Sequence, residues 1–337
     1  MLKVCHMTSV HLRYNVRVFK KECVSLANAG FQVYLVVNDE MKDEIKDGVQ
    51  IISTSYKAKS RMDRMLRATK KVYQKAFAID ADIYHFHDPE LLPYGYLLKK
   101  KGKKVIFDSH EFTGRQMECK DYLPWFLRKI VSFIYKKYER YIVSKLDAVV
   151  VPGSSDGKSY FEGRCKREVV IDNVPRIADV YSEGRLFEQR KHQACYVGGL
   201  SVVRGVVKMS QASEKAEIPL VLGGNFMPED LEKEIVCDEN SLVEYRGFLD
   251  TKEIKELLGE SYMGLCVLQS KGQYQYMDNL STKVYEYMGA GIPVVVSDFP
   301  CYKKLMERLE CGICVDSGNI DEIAEGMKWL LAHPKEA

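Results

Sequence analysis

Between Asp278 and Val296 the chain sets two carboxylates, Asp278 and Glu286, eight residues apart around the tripeptide Ser281-Thr282-Lys283. A turn, Gly289-Ala290-Gly291, and an apolar strand follow. Serine and threonine favour the N-cap, so the pair predicts a helix whose first-turn amides can face an anion. Lys283 adds positive charge there. Glu286, about a turn further in, can reach a polyol. Phosphate at a helix start with a carboxylate for hydroxyls is the chemistry of a nucleotide sugar.

Four other segments carry polar residues at the ends of apolar runs. Tyr196-Val197-Gly198-Gly199 leads to Arg204, a strand, a glycine turn and a cation. Glycines let a backbone approach phosphate closely, and an arginine forks onto a diphosphate. In the first half, His11 and Arg17 lie in the loop and helix start after strand one. An arginine opposes the dipole there and so calls for a partner or ligand. His87 and Asp88 end the strand of Tyr84-His85-Phe86, with Asp88-Pro89 reading as an N-cap and first helical position. His110 and Glu111 end the run Val105-Ile106-Phe107-Asp108. A histidine at such a strand end can orient a hydroxyl or pass a proton near neutral pH.

The elements that must position these residues are short β-branched strands alternating with helical patterns, which implies parallel sheets built from βαβ units. In the first half, strands are expected at Lys3–Met7, Gln32–Val37, Val49–Ser53, Ile83–Phe86, Lys104–Asp108 and Ala148–Val151. Helices are expected at Val16–Ala29 and near Pro124–Lys145. Strands resume at Val169–Ile171, Ala194–Val197, Leu220–Leu222, Leu242–Tyr245, Gly264–Val267, Val294–Val296 and Gly312–Val315, and a last helix surrounds Ile320–Leu331. The polar stretch Arg176–His192 separates two doubly wound series. Ligands of such open sheets sit beyond the carboxyl ends of the strands, where the polar segments fall.

Composition narrows the class. A chain of 337 residues is long enough for two cores, and 46% hydrophobic with 29% charged residues is ordinary for a globular protein. The net charge of +3 gives no argument for nucleic acid. No apolar run approaches the ~20 residues of a membrane span, and the amino terminus reads as a strand rather than a signal peptide. Ten cysteines scattered in apolar surroundings fit reduced thiols of a cytoplasmic protein. Two motifs are set aside. Asp80-Ala81-Asp82 has metal-binding spacing but precedes its strand, at the end away from the expected ligands. Cys311-Gly312-Ile313-Cys314 has no partner pair.

With these residues in place, the segment Asp278–Val296 resembles the E-x7-E region of the family-4 retaining glycosyltransferases, here with aspartate as the first acid. The resemblance covers nearly the whole chain. It implies an α/β protein of GT-B fold, two facing Rossmann-like domains with a cleft between them. Asp172-Asn173-Val174-Pro175 resembles the turn opening the second domain, so the domains are expected at 1–172 on the acceptor side and 173–337 for the nucleotide sugar. By the same resemblance Glu286 takes the ribose hydroxyls, while Asp278 and His110 contact the donor sugar. Arg204, Lys283, Ser281, Thr282, Gly198 and Gly199 surround the diphosphate, with Gly199 where relatives often carry a first cation. His11, Arg17, His87, Asp88 and Glu111 line the acceptor side. Relatives usually continue with a helix returning to the first domain, so the chain is expected to be short there.

The expected function is a metal-independent, retaining transfer from a UDP- or GDP-linked sugar to a glycan or polyprenyl-linked acceptor, in bacterial surface polysaccharide synthesis, with no cofactor. The alternatives are a nucleotide-sugar epimerase and a non-catalytic nucleotide-sugar-binding protein of the same fold. The stretch 121–145 interleaves aromatic and aliphatic residues with arginines and lysines. It reads equally as a core helix with a basic face or as one that lies on an anionic membrane, on the inner face if cytoplasmic.

Overall fold

A computed structural model describes residues 1–110, 113, 124–153, 160–181, 186–236, 241–270 and 280–336. The chain divides into two compact units, Met1–Asp172 and Asn173–Ala337. Strands β1 (Lys3–Thr8), β2 (Gln32–Val37), β3 (Glu44–Lys46), β4 (Val49–Ser53), β5 (Ile83–Phe86), β6 (Lys104–Asp108), β7 (Ala148–Val151) and β8 (Glu168–Val170) form the sheet of the first unit. Their order is β3-β4-β2-β1-β5-β6-β7-β8. All neighbours are parallel except β3, which runs antiparallel to β4. Chain direction across the sheet reverses between β1 and β5, so the crevice for ligands opens beyond their carboxyl ends.

The second sheet holds β9 (Lys191–Val197), β10 (Leu220–Gly223), β11 (Val243–Tyr245), β12 (Ser261–Cys266), β13 (Val294–Ser297) and β14 (Gly312–Val315). Their order, β11-β10-β9-β12-β13-β14, is parallel throughout and is the dinucleotide-fold order 3-2-1-4-5-6 counted from β9. The switch point lies between β9 and β12. Helices cover both faces, which is why these strands read as continuous apolar runs: every residue of β10, β12 and β13 is buried.

Two elements differ from expectation. Strand β3 escapes notice because Glu44-Ile45-Lys46 is short and mostly charged, as an edge strand can be. The first helix forms in two windings, a π-helical segment Val16–Cys23 continued by an α-helix Val24–Asn28. Asn15 caps it, its side-chain oxygen accepting from the amides of Arg17 and Val18 at 2.9 and 3.0 Å. Among the described residues no helix is long and apolar enough to cross a membrane.

Candidate functional site

In the second unit the glycine turn, the cation and the helix start come together at the switch point. Strand β9 delivers Gly198 and Gly199, a short 3-10 turn Val202–Arg204 follows, and the helix Val206–Ala216 begins after Gly205. Gly224, at the end of β10, has φ +125, and a Cβ there would strike the Gly198 carbonyl oxygen. Only glycine lets these two turns abut, which leaves the rim low where a phosphate would approach.

The helix Thr282–Ala290 is held over β12 by its own Tyr287. That buried hydroxyl lies 3.2 Å from the Cys195 carbonyl oxygen and 3.1 Å from that of Leu265, and it shares its proton between them. The ring lies against Gly264, where a Cβ would be 2.5 Å from it. Gly291, at φ +65, closes the helix in the left-handed conformation expected of a C-cap.

Ser281 occupies the N-cap, but its side chain makes no capping bond, and Thr282 is the first helical residue. The Ser281 hydroxyl turns to the Cys266 thiol instead. Burial pushes that thiol up to about 11, while Ser281 and the positive charges of Arg204 and Lys283 pull it back. Cys266, at the end of β12, thus feels the Ser281 hydroxyl and two positive charges. The Lys283 Cε packs beside Gly198, 3.3 Å from where a Cβ would stand, and its Nζ pairs with Glu286 Oε2 at 2.7 Å. Both side chains remain partly open, at 17% and 15% exposure. A cation beside a glycine turn is thus tied to the carboxylate a turn further along by one ion pair.

In the first unit a polar cluster gathers beyond and beneath the ends of β1, β5 and β6. Asp88 stands at the N-cap before Pro89 without capping it. Its Oδ2 instead accepts from the Thr8 hydroxyl at 2.9 Å and the amides of Ser9 and Val10 at 2.6 and 3.3 Å. The carboxylate is turned to the neighbouring strand end, where it accepts from three donors. His11 Nε2 lies 3.5 Å from Asp88 Oδ1, and the His11 ring stacks on His110 with centroids 4.5 Å apart. Burial pushes His11 down to about 4, so the ring is neutral.

Arg17 finds its partner in Asp108, which it forks at 3.1 and 2.8 Å, with Glu22 Oε1 at 3.3 Å. At 9% exposure it is an internal positioning group rather than a surface contact for an acceptor. Asp108 is wholly buried, and its Oδ2 also lies 3.2 Å from His87 Nδ1 and 3.1 Å from His110 Nε2. Burial alone would raise that carboxyl, yet the hydrogen bonds from His110 and His87 outweigh it and hold it well below the usual range. A carboxylate accepts only, so both ring nitrogens carry protons. His87, also fully buried, is not exposed to a ligand, whereas His110 keeps 18% of its side chain open.

The sequence reading left out Asp108, Glu22, His6 and His85, which complete this cluster. The available signal was a polar residue on one face of an apolar strand: His85 and His87 are two apart, and His6 pairs with His85 in register. Glu111 and Asp278 lie outside the described residues. Asp80 and Asp82 are structural: Asp80 pairs with Lys103 and Asp82 accepts from the Lys3 amide at 2.8 Å. The eight described cysteines are free, and Cys311 and Cys314 join no metal-ligating group among the described residues. An open cavity of about 420 Å³ adjoins the rim, lined by Ser9, Val10, Asn38, Tyr56, Lys57 and Arg64 among others.

The model of glycosyl transferases group 1 matches residues 179–337, and that of glycosyltransferase family 4 matches residues 16–171. No curated protein matches the chain in sequence. Among solved structures, sucrose-phosphate synthase from Thermosynechococcus elongatus is 14% identical with a TM-score of 0.75, over 100% of this chain and 91% of that one. HepE of Anabaena, in complex with UDP and glucose, is 12% identical with a TM-score of 0.68 over the same shares. WaaG, a glycosyltransferase involved in lipopolysaccharide biosynthesis, is 14% identical with a TM-score of 0.66, over 100% and 92%. At these identities the likeness is one of fold. With both halves of the chain matched by glycosyltransferase models and the fold shared along its length, the chain belongs to the family-4 glycosyltransferases of GT-B fold.

Proposed function

We propose that the protein is a retaining glycosyltransferase that takes a hexose from a nucleoside diphosphate, uridine or guanosine, and moves it to a glycan or polyprenyl-linked acceptor. The observation that supports this reading is the Lys283–Glu286 ion pair lying beside the Gly198 turn at the carboxyl end of β9, next to the switch point of the second sheet. In the transfer, the bond between the sugar's anomeric carbon and the diphosphate oxygen breaks. The growing charge on the diphosphate is met by Arg204, Lys283 and the amides opening the helix Thr282–Ala290. These groups supply the neutralisation that a divalent ion would otherwise provide, so no metal is needed at the diphosphate. Glu286 takes the ribose hydroxyls, and binding re-partitions its ion pair with Lys283, freeing the ammonium for phosphate.

The first unit takes the acceptor. His110 hydrogen-bonds the transferred sugar, together with Asp278. His11 and Asp88 border the acceptor rim, while His87 and Arg17 hold it from beneath and Glu111 contacts acceptor hydroxyls. The polar cavity beside Ser9 and Arg64 suits a hydroxylated acceptor. Structures of HepE with UDP and with UDP-glucose favour a uridine donor, and the involvement of WaaG in lipopolysaccharide biosynthesis favours a surface polysaccharide or glycolipid product.

The test is thermal stability with a panel of nucleotides and nucleotide sugars, with and without EDTA. A ligand of the native state raises stability by about 2.7 kcal/mol at a hundred times its dissociation constant. Stabilisation by one diphosphate series, with a shift unaltered by EDTA and lost in Glu286→Ala, is expected. No shift with any nucleotide at millimolar concentration removes the donor assignment.

A further inference from the structure

Beneath the rim of the first unit lies a group of side chains of which only His87 has been given a part, that of supporting the rim. His6 in β1 and His85 in β5 are register partners, so both rings stand on one face of the sheet. His87 follows two residues later on that face, and Glu22 reaches the same spot from the π-helical segment Val16–Cys23. His6 Nδ1, His85 Nδ1, His87 Nε2 and Glu22 Oε2 all lie within 4.8 Å of one another.

The separations point to something shared between them. Glu22 Oε2 is 3.9 Å from His6 Nδ1, 3.9 Å from His85 Nδ1 and 3.8 Å from His87 Nε2. These are too long for hydrogen bonds, and Glu22 Oε2 is a buried oxygen with no hydrogen-bond partner. They are near the edge length, about 3.3–3.4 Å, of a tetrahedron whose ligands stand ~2.0–2.1 Å from a central ion. His6 Nδ1 and His87 Nε2, at 2.9 Å, are hydrogen-bonded to each other, and an ion takes the place of the proton between them. Small side-chain movements complete the polyhedron.

His87 is also oriented as a metal ligand would be. Its Nδ1–H donates to Asp108 Oδ2 at 3.2 Å, which leaves the Nε2 lone pair facing the other three donors. A carboxylate behind a histidine, fixing its tautomer, is the usual outer support of a metal-bound imidazole. Asp108 is itself held by the Arg17 fork. Burial keeps His6, His85 and His87 neutral, as nitrogen ligands must be. It also pushes Glu22 up to about 9, a cost that an adjacent cation removes.

We propose that His6, His85, His87 and Glu22 bind one divalent first-row transition ion of the zinc class. Three imidazoles and a carboxylate are a zinc donor set, and calcium or magnesium would take oxygens instead. Four protein ligands close the coordination sphere, so the ion is structural and no position is left for substrate. It fastens the first helix to the sheet through Glu22, and with it Arg17, Asp108 and His110. It takes no part in diphosphate release, which the second unit handles.

The experiment uses the full chain without a histidine tag. Metal content is measured by mass spectrometry after gel filtration in metal-free buffer. The protein is then stripped with a strong chelator and titrated with zinc and with cobalt(II). One equivalent per chain, a rise in melting temperature and the intense visible bands of four-coordinate cobalt are expected. Glu22→Gln and His85→Gln lose all three, while His192→Gln, on another strand, keeps them. Asp108→Asn, which leaves the four ligands in place, weakens the ion by roughly 10–100-fold. Circular dichroism and the nucleotide-induced thermal shift establish that each variant is folded. A folded wild type that takes up neither ion overturns the proposal, and so does stoichiometric binding that persists in both ligand variants. Neither outcome touches the donor assignment, which is read by nucleotide alone.

Discussion

Asp88 and Asp108 sit at neighbouring strand ends and do different work. Asp88 gathers backbone donors and shapes the loop after β1, whereas Asp108 is a buried hub for Arg17, His87 and His110. Breaking such a buried pair from one side leaves an uncompensated charge. Arg17→Ala is therefore expected to lower stability by about 3–5 kcal/mol in urea unfolding. A loss under about 1 kcal/mol would mean that Asp108 finds another cation. His11 supplies a pH dependence. Its folded pKa is pushed down to about 4 by burial, against about 6.5 when unfolded. Between those values the unfolded chain binds the extra proton, so this contribution is present above pH 6.5 and is lost as pH falls towards 4. The slope is at most ~1.4 kcal/mol per pH unit. Unfolding free energies at pH 7 and pH 5 should therefore differ less in His11→Gln than in the unmutated chain.

At the scale of elements, the helix Trp125–Val143 is the one whose role the structure sharpens. Buried Ser132, Glu139, Ile142 and Val143 mark its inner face. Glu139 faces inward because Tyr135 and Tyr160 donate to it at 2.9 and 3.2 Å. The outer face leaves Ile130, Phe133, Ile134, Tyr138 and Tyr141 exposed, Phe133 at 62% and Ile134 at 60%, interleaved with exposed Lys129, Lys137 and Arg140. An apolar band among cations is what an anionic bilayer surface binds. Co-flotation with vesicles rich in anionic lipid is expected, and Phe133→Glu with Ile134→Glu should abolish it. Equal flotation with neutral vesicles would point to apolar adhesion without charge recognition.

For the whole molecule, the proposed function assigns nucleotide binding to one unit and a sugar contact to the other. The proposed nucleotide contacts all fall in Asn173–Ala337, while His110 belongs to Met1–Asp172. His110→Ala is accordingly expected to keep the nucleotide-induced thermal shift and lose turnover by about 10²–10⁴-fold, the range of a positioned proton-handling group. Glu286→Ala should lose both. If His110→Ala transfers sugar at the normal rate, its place in the reaction falls away.

What the sequence determined by itself is what local periodicity and turn chemistry can carry. Strand periods, the C-cap at Gly291, the first helix beginning at Val16 and the helix start after Ser281 depend on neighbours within a few residues, and each is where the pattern places it. The pairing of Lys283 with Glu286 depends on the same local geometry, since the two are one turn apart on one helix. Tertiary structure decided where side chains point once strands pair. Asp88 turns from its helix to the β1 loop because Thr8, Ser9 and Val10 bring donors from 78–80 residues away. Arg17 reaches Asp108 across 91 residues, and His6 meets His87 across 81. Sheet order places these partners together, and no period along the chain encodes it. The buried histidine cluster is therefore a product of topology: polar residues on one face of apolar strands, harmless singly, become a site when parallel pairing sets them side by side.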